Sequence, residues 1–169
     1  MQKQILTEQA IYFGDVKMPK GFEIERDVLT LDTFLSDLRN KDFEWSPSFG
    51  KLNTYVIEHL KVKHNLAVYN KNTWGNFYKP NETTPPLINV DFNNLMDAPD
   101  YTLLYGIAVE DCTVTIRYDD NRKKGRNWNI PITNNKFVMF PSTNIYYITN
   151  KQKNILNFIQ TITYANLAP

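Results

Sequence analysis

The stretch from Cys112 to Tyr118 alternates strictly, with Cys112, Val114, Ile116 and Tyr118 on one side and Thr113, Thr115 and Arg117 on the other. A period of two over seven residues is the signature of a strand with one face in a core and one in water. From Leu66 onward the pattern is β, with turn signals roughly every eight to twelve residues, the spacing of a sandwich or barrel. Strands are expected at Tyr101 to Ala108, Cys112 to Tyr118, Lys136 to Phe140, Ile145 to Thr149 and Ile155 to Tyr164, with Phe137 to Phe140 and Ile145 to Thr149 as antiparallel neighbours. Thr83-Thr84-Pro85-Pro86 breaks any strand that reaches it, because proline has no N–H to give to a ladder.

Two helices are expected first. Leu31, Phe34, Leu35 and Leu38 share one helical face, with Thr30 as the N-cap, and this stripe is expected to lie against the sheet. Leu52, Tyr55, Val56 and Leu60 mark a second helix that follows Ser46-Pro47-Ser48 and stops near His64-Asn65. Helices followed by antiparallel strands imply a mainly β chain, a jelly roll or double-stranded β-helix with two N-terminal helices packed on it. One domain over 1–169 is expected, with residues 1–65 helical and 66–164 the jelly-roll core.

Composition removes several function classes. Of the 169 residues, 42% are apolar and 22% charged, and 19 Lys and Arg against 18 Asp and Glu leave a net charge of +1. That balance gives no field for nucleic acid, and no apolar run is long enough for a membrane span. Neither specific nucleic acid nor membrane is expected as a partner, and a cytoplasmic location is expected. Cys112 stands alone, so there is no intrachain disulfide and no paired-cysteine metal site.

The two histidines, His59 and His64, point roughly 140° apart on a helix, unlike the i, i+4 pair of a zinc helix. Glu110-Asp111 and Asp119-Asp120 sit at strand ends and read as turns rather than as acid–base pairs. Arg122-Lys123-Lys124-Gly125-Arg126 reads as a solvated hairpin loop beside its own neutralising Asp119-Asp120.

Phe140-Pro141-Ser142, between one strand and the next, resembles the turn that presents the distal metal-binding histidine in iron- and 2-oxoglutarate-dependent oxygenases. The order of helices, then Trp74-Gly75-Asn76, then Tyr101 to Gly106, then Thr113 to Tyr118, is also similar, over roughly Leu66 to Tyr164. The resemblance implies a double-stranded β-helix and, where its ligands are kept, an iron centre with a 2-oxoglutarate site. The ligands differ here. Tyr146 stands where the distal histidine belongs, and Ala98-Pro99-Asp100 is the nearest equivalent of the upstream His-x-Asp signature, offering at most a carboxylate. No arginine follows Arg126 to hold the cosubstrate, and Asn154 or Asn157 takes that place. Tyr12 to Gly21, Thr73 to Pro80, Tyr118 to Arg122 and Asn135 to Asn150 further resemble proteins of marine tailed phages, which implies an origin and no activity.

The resulting expectation is an oxygenase-like jelly roll that binds a small polar ligand or a protein partner, a phage protein among them. Asp100, Tyr105, Trp128 and Tyr146 are expected to line its mouth, with no catalytic residue, no metal ligand and no cofactor. The alternatives are a divergent iron- and 2-oxoglutarate-dependent hydroxylase, which would need both of those groups, and a virion structural or assembly protein.

Overall fold

The computed structural model describes residues 1–5, 8–38, 45–118 and 125–167. In chain order it has β1 (Tyr12–Asp15), α1 (Arg26–Leu38), α2 (Pro47–His64), β2 (Val68–Tyr78), β3 (Tyr101–Ala108), β4 (Cys112–Tyr118), β5 (Arg126–Ile132), β6 (Lys136–Pro141), β7 (Tyr146–Asn150) and β8 (Asn157–Asn166). A single 3₁₀ turn at Leu95–Asp97 precedes β3. The strands form two antiparallel sheets, ordered β1-β6-β3-β8-β2 and β5-β4-β7. This is the double-stranded β-helix expected from the sequence, with the helices on one side of the larger sheet.

Alternation divides the core in two. On β3, Leu103, Tyr105 and Ile107 face the helices together with Phe137, Met139, Ile162 and Tyr164, over Leu52, Val56 and Leu60 of α2. Leu104 faces the other way, and with Val138, Phe140 and Ile159 it meets Val114, Ile116, Ile130 and Ile148 between the sheets. The bounds of β3 and β4 match the periodicity reading. α2 buries Leu52, Val56 and Leu60 as expected and ends at Asn65, whose left-handed backbone (φ 51°) closes the last carbonyls.

Three expectations need correction. The buried face of α1 is Leu29, Asp32 and Thr33, whereas Leu31 and Phe34 are exposed (57% and 41%), Leu35 is only half-buried, and the side chain of Leu38 lies outside the description. Thr30 is no cap, since the helix begins at Arg26 and the Thr30 hydroxyl donates to the Arg26 carbonyl. The cause is a close approach. A Cβ built on Gly75 of β2 would lie 2.5 Å from the Thr33 Cα, so Thr33 faces the sheet at the crossing, beside buried Leu29 and Asp32, and Phe34 touches the sheet through a stack on Phe77 (ring centroids 6.0 Å).

Second, Phe137 to Phe140 and Ile145 to Thr149 are not paired. β6 lies between β1 and β3 in the larger sheet, and β7 pairs with β4 in the smaller. The Phe-Pro-Ser turn carries the chain from one sheet to the other, where a hairpin would have kept both strands in one. Third, residues 1–65 are not purely helical, because β1 joins the larger sheet through β6.

The Pro85-Pro86 break holds. Thr83 and Leu87 on either side of it make isolated bridges to Thr149 and Tyr146, so the segment runs along the free edge of β7 without becoming a strand. Asp119-Asp120 and the basic residues 122–124 lie outside the described residues.

Candidate functional site

Two places between the sheets carry polar or aromatic groups. The first lies at the end of β3 nearest the Phe-Pro-Ser turn. Here the inner face of the larger sheet changes from leucine and phenylalanine to Thr102, Thr161 and Thr163, all buried. The Ser142 N–H donates to the Asp100 carbonyl (2.9 Å), which fixes the turn, and the Ser142 and Thr102 hydroxyls are 2.9 Å apart. The Asn89 side-chain amide donates to the Thr102 hydroxyl (3.2 Å) and to the Tyr146 phenol (3.1 Å). Burial raises the Tyr146 pKa above its usual 10.0, opposed by the Asn89 hydrogen bond, so the phenol stays neutral at physiological pH.

The second place is the open flank between β1 and β5. Phe13 and Trp128 meet there with ring centroids 5.3 Å apart. They wall a cavity of about 350 Å³, lined also by Gln9, Ile11, Tyr118, Pro141 and Asn144. Its volume is within the range of small-ligand sites. The aromatic wall offers an apolar face, and the two amides offer donors and acceptors beside it.

The four expected mouth residues occupy three different settings. Ile116 pairs with Trp128 on one side and Tyr146 on the other, so these two aromatics share one row on the inner face of the smaller sheet. Trp128 is half-buried at the open flank, whereas Tyr146 is enclosed against Phe140. Tyr105 faces the helices through the opposite side of the larger sheet, and its hydroxyl donates to Asn135 Oδ1 (2.7 Å). The Asp100 carboxylate accepts the backbone N–H of Asn166 (2.7 Å) and holds the end of β8 to the start of β3. Asn89 was missed. Asn89-Val90-Asp91 has the His-x-Asp spacing with an amide in place of the imidazole, and a search for histidine passes over it.

The other polar residues have structural employment. Asn157 is fully buried, and its amide both donates to and accepts from the backbone of Glu110. Glu110-Asp111 is a turn, with Asp111 at φ 45°. His59 stacks on Tyr55 and His64 meets Tyr12 edge-on. Cys112 is buried, and burial pushes its thiol up to about 12.

The iron and 2-oxoglutarate implied by the family resemblance can be tested on these donors. A non-haem ferrous centre takes two imidazoles and a carboxylate. The Asn89–Tyr146 network offers an amide, a phenol and hydroxyls, and the nearby Asp91 carboxylate is exposed and accepts the Asn93 N–H. Among the described residues no three His, Cys, Asp or Glu side chains cluster as metal ligands would. Asn157 brings no charge to a cosubstrate carboxylate and is spent on Glu110. This donor set does not fit the two groups.

No protein-family profile matches the chain, and no curated protein matches it in sequence. Solved structures do match in shape. A Pseudomonas putida prolyl-4-hydroxylase superposes with a TM-score of 0.65 at 8% identity, covering 95% of this chain and 94% of that one. The viral collagen prolyl hydroxylase of Paramecium Bursaria Chlorella virus-1, solved with 2-oxoglutarate, gives 0.60 at 15% identity over 94% and 96%. A non-haem, alpha-ketoglutarate-dependent epimerase of nogalamycin biosynthesis gives 0.63 at 9% identity over 94% and 78%. These neighbours correct the expectation of a chain without cofactors, since iron and 2-oxoglutarate are the groups associated with this fold. At such identities the likeness establishes one thing for this chain, the double-stranded β-helix fold of the 2-oxoglutarate-dependent oxygenases.

Proposed function

We propose that this jelly roll binds a small ligand that has an apolar face and polar edges, in the cavity walled by Phe13 and Trp128. The observation that carries the reading is that cavity itself: about 350 Å³, open to solvent between the sheets, with an aromatic wall beside Gln9 and Asn144. A sugar ring or a flat heterocycle satisfies both kinds of wall, one by stacking and one by hydrogen bonds. Ligand-observed NMR with a panel of monosaccharides, nucleosides and aromatic acids is the test. Binding that disappears in Trp128→Ala is expected, and binding that is indifferent to it would overturn the reading.

A second reading, a divergent 2-oxoglutarate-dependent oxygenase, is favoured by one observation. The chain has the shape of a fold whose solved members include hydroxylases, and this reading would need iron held by donors other than the Asn89–Tyr146 pair. Anaerobic titration with ferrous iron and 2-oxoglutarate, followed by a succinate assay, decides it. Stoichiometric iron with turnover would put this reading first. The resemblance to marine phage proteins remains a proposal about origin and adds no activity to either.

A further inference from the structure

Two exposed elements flank the end of the larger sheet at which β3 begins. One is the loop that leads into β3. Its backbone is held: the Asn93 N–H donates to the Asp91 carboxylate (2.8 Å), a 3₁₀ turn closes at Leu95–Asp97, and the Lys71 ammonium pairs with the Asp97 carboxylate (2.6 Å). Yet Phe92 and Leu95 are exposed (64% and 58%), and Met96 is fully so. Three large apolar side chains on a fastened loop form a displayed patch rather than a frayed end. The carboxylates of Asp91, Asp97 and Asp100 are exposed along the same loop.

The other element is the last turn of α2, where Lys61, Val62, Lys63 and His64 are all exposed. His64 meets Tyr12 edge-on at 4.8 Å, and Tyr12 meets Tyr101, the first residue of β3, at 6.4 Å. These contacts bring the turn to the same end of the sheet as Asp100. Leu167, also exposed, is tied in just beyond α2, where its N–H donates to the Ala67 carbonyl (2.9 Å). This end of the molecule therefore has an acidic half and a basic half, each with apolar side chains.

We infer that this end pairs two copies of the chain about a two-fold axis, the loop of each copy seated against the last turn of α2 of the other. A two-fold contact requires each copy to carry both members of every pair, and the two halves meet that condition. The rotation sets Asp91 and Asp97 of one copy toward Lys61 and Lys63 of the other, and Phe92, Leu95 and Met96 toward Val62. The exposed surface of Val62, Phe92, Leu95, Met96 and Leu167 is on the order of 450 Å², the apolar share of the roughly 800 Å² that each partner gives to a standard interface. A net charge of +1 per chain sets little repulsion against pairing. An apolar tip among carboxylates is repelled by an anionic membrane and by phosphates, so the charges favour a second copy. Pairing asks nothing of the Phe13–Trp128 cavity and stands or falls apart from it.

Sedimentation velocity of the full chain from about 1 to 200 µM, with circular dichroism of each variant, tests this. The expected result is a species of twice the 19.8 kDa chain mass that dissociates on dilution. Met96→Asp is expected to weaken pairing about thirtyfold or more at an unchanged spectrum and Tm, since that side chain is fully exposed in the single chain. Lys61→Glu with Lys63→Glu is expected to weaken it about tenfold. Leu31→Asp, at a comparably exposed leucine of α1, should leave it unchanged. A chain that stays monomeric throughout, a dimer indifferent to Met96→Asp or to the lysine reversal, or one weakened as much by Leu31→Asp would each overturn the inference. So would a wild-type monomer that binds phosphatidylcholine vesicles and loses that binding in Met96→Asp, which would give the loop to a lipid surface.

Discussion

Gly75→Ala is expected to destabilise the protein by about 1–3 kcal/mol, the range of overpacking in a close-packed interior. The added Cβ would lie 2.5 Å from both the Cα and the Cγ2 of Thr33, and 2.8 Å from its Cβ. Rotating the Thr33 side chain relieves only the methyl contact, because the Cα belongs to the backbone of α1. The helix must therefore move by roughly 1 Å to reach ordinary carbon–carbon separation. That shift strains the hydrogen bond from the Gly75 N–H to the Ser36 hydroxyl (3.3 Å) and the one from the Ser46 N–H to Asp32 (3.1 Å). Replacing glycine also stiffens the unfolded chain, which returns about 0.4–1 kcal/mol and keeps the net cost in the lower part of the range. Reversible thermal unfolding by circular dichroism should show a Tm lowered by about 2–4 °C for each kcal/mol in a chain of this size. A Tm equal to or above that of wild type would refute the seating of α1 on β2 at this residue.

Leu29→Ala is expected to cost about 2–5 kcal/mol in urea denaturation, and Leu35→Ala distinctly less, because only Leu29 of the two is fully buried. Tyr146→Phe removes one hydrogen bond of the Asn89 amide, which keeps Thr102, so a loss of about 1 kcal/mol is expected; no loss would mean the pair is idle. Stability is expected to be independent of Cys112 below pH 9.0. It should fall from there toward about pH 12, because the unfolded thiol releases its proton before the buried one does. Buried Tyr105 and Tyr164, with pKa values raised by desolvation, extend the fall in the same direction above pH 10.0, and denaturation midpoints across that range measure it. A thiol that reacts with Ellman's reagent as fast as free cysteine in the native protein would contradict the burial of Cys112.

Much of the fold was legible because strands with one wet and one dry face announce their period. Cys112 to Tyr118 is of this kind, Tyr101 to Ala108 reads instead as a short apolar run buried on both faces, and α2 shows its stripe at Leu52, Val56 and Leu60. α1 misled because its buried face is chosen by Gly75, a distant glycine that admits threonine and serine, leaves Leu31 outside and lets Phe34 reach the sheet only through its stack on Phe77. β5 alternates at Trp128, Ile130 and Ile132, but Pro131 inside the run argues against a strand except at a sheet edge, which is where β5 lies. Sheet membership is non-local, and nothing in Phe140-Pro141-Ser142 distinguishes a hairpin from a step between sheets. Of the candidate site, Trp128 and Tyr146 could be marked as aromatic residues near a turn. The companion residues Phe13 and Asn89 come from the far ends of the topology, one on an unforeseen strand and one beyond Pro85-Pro86.

The location of ligand binding is the claim most open to direct measurement. The chain has three tryptophans, Trp45, Trp74 and Trp128, so a ¹⁵N-labelled sample gives three indole N–H signals, assignable by single Trp→Phe variants. Titration with galacturonate, cellotetraose and a set of nucleosides and aromatic acids should shift the Trp128 signal with at least one of them and leave Trp45 and Trp74 in place. A Trp128 signal unmoved by every compound, or a shift confined to Trp45 or Trp74, would contradict the account.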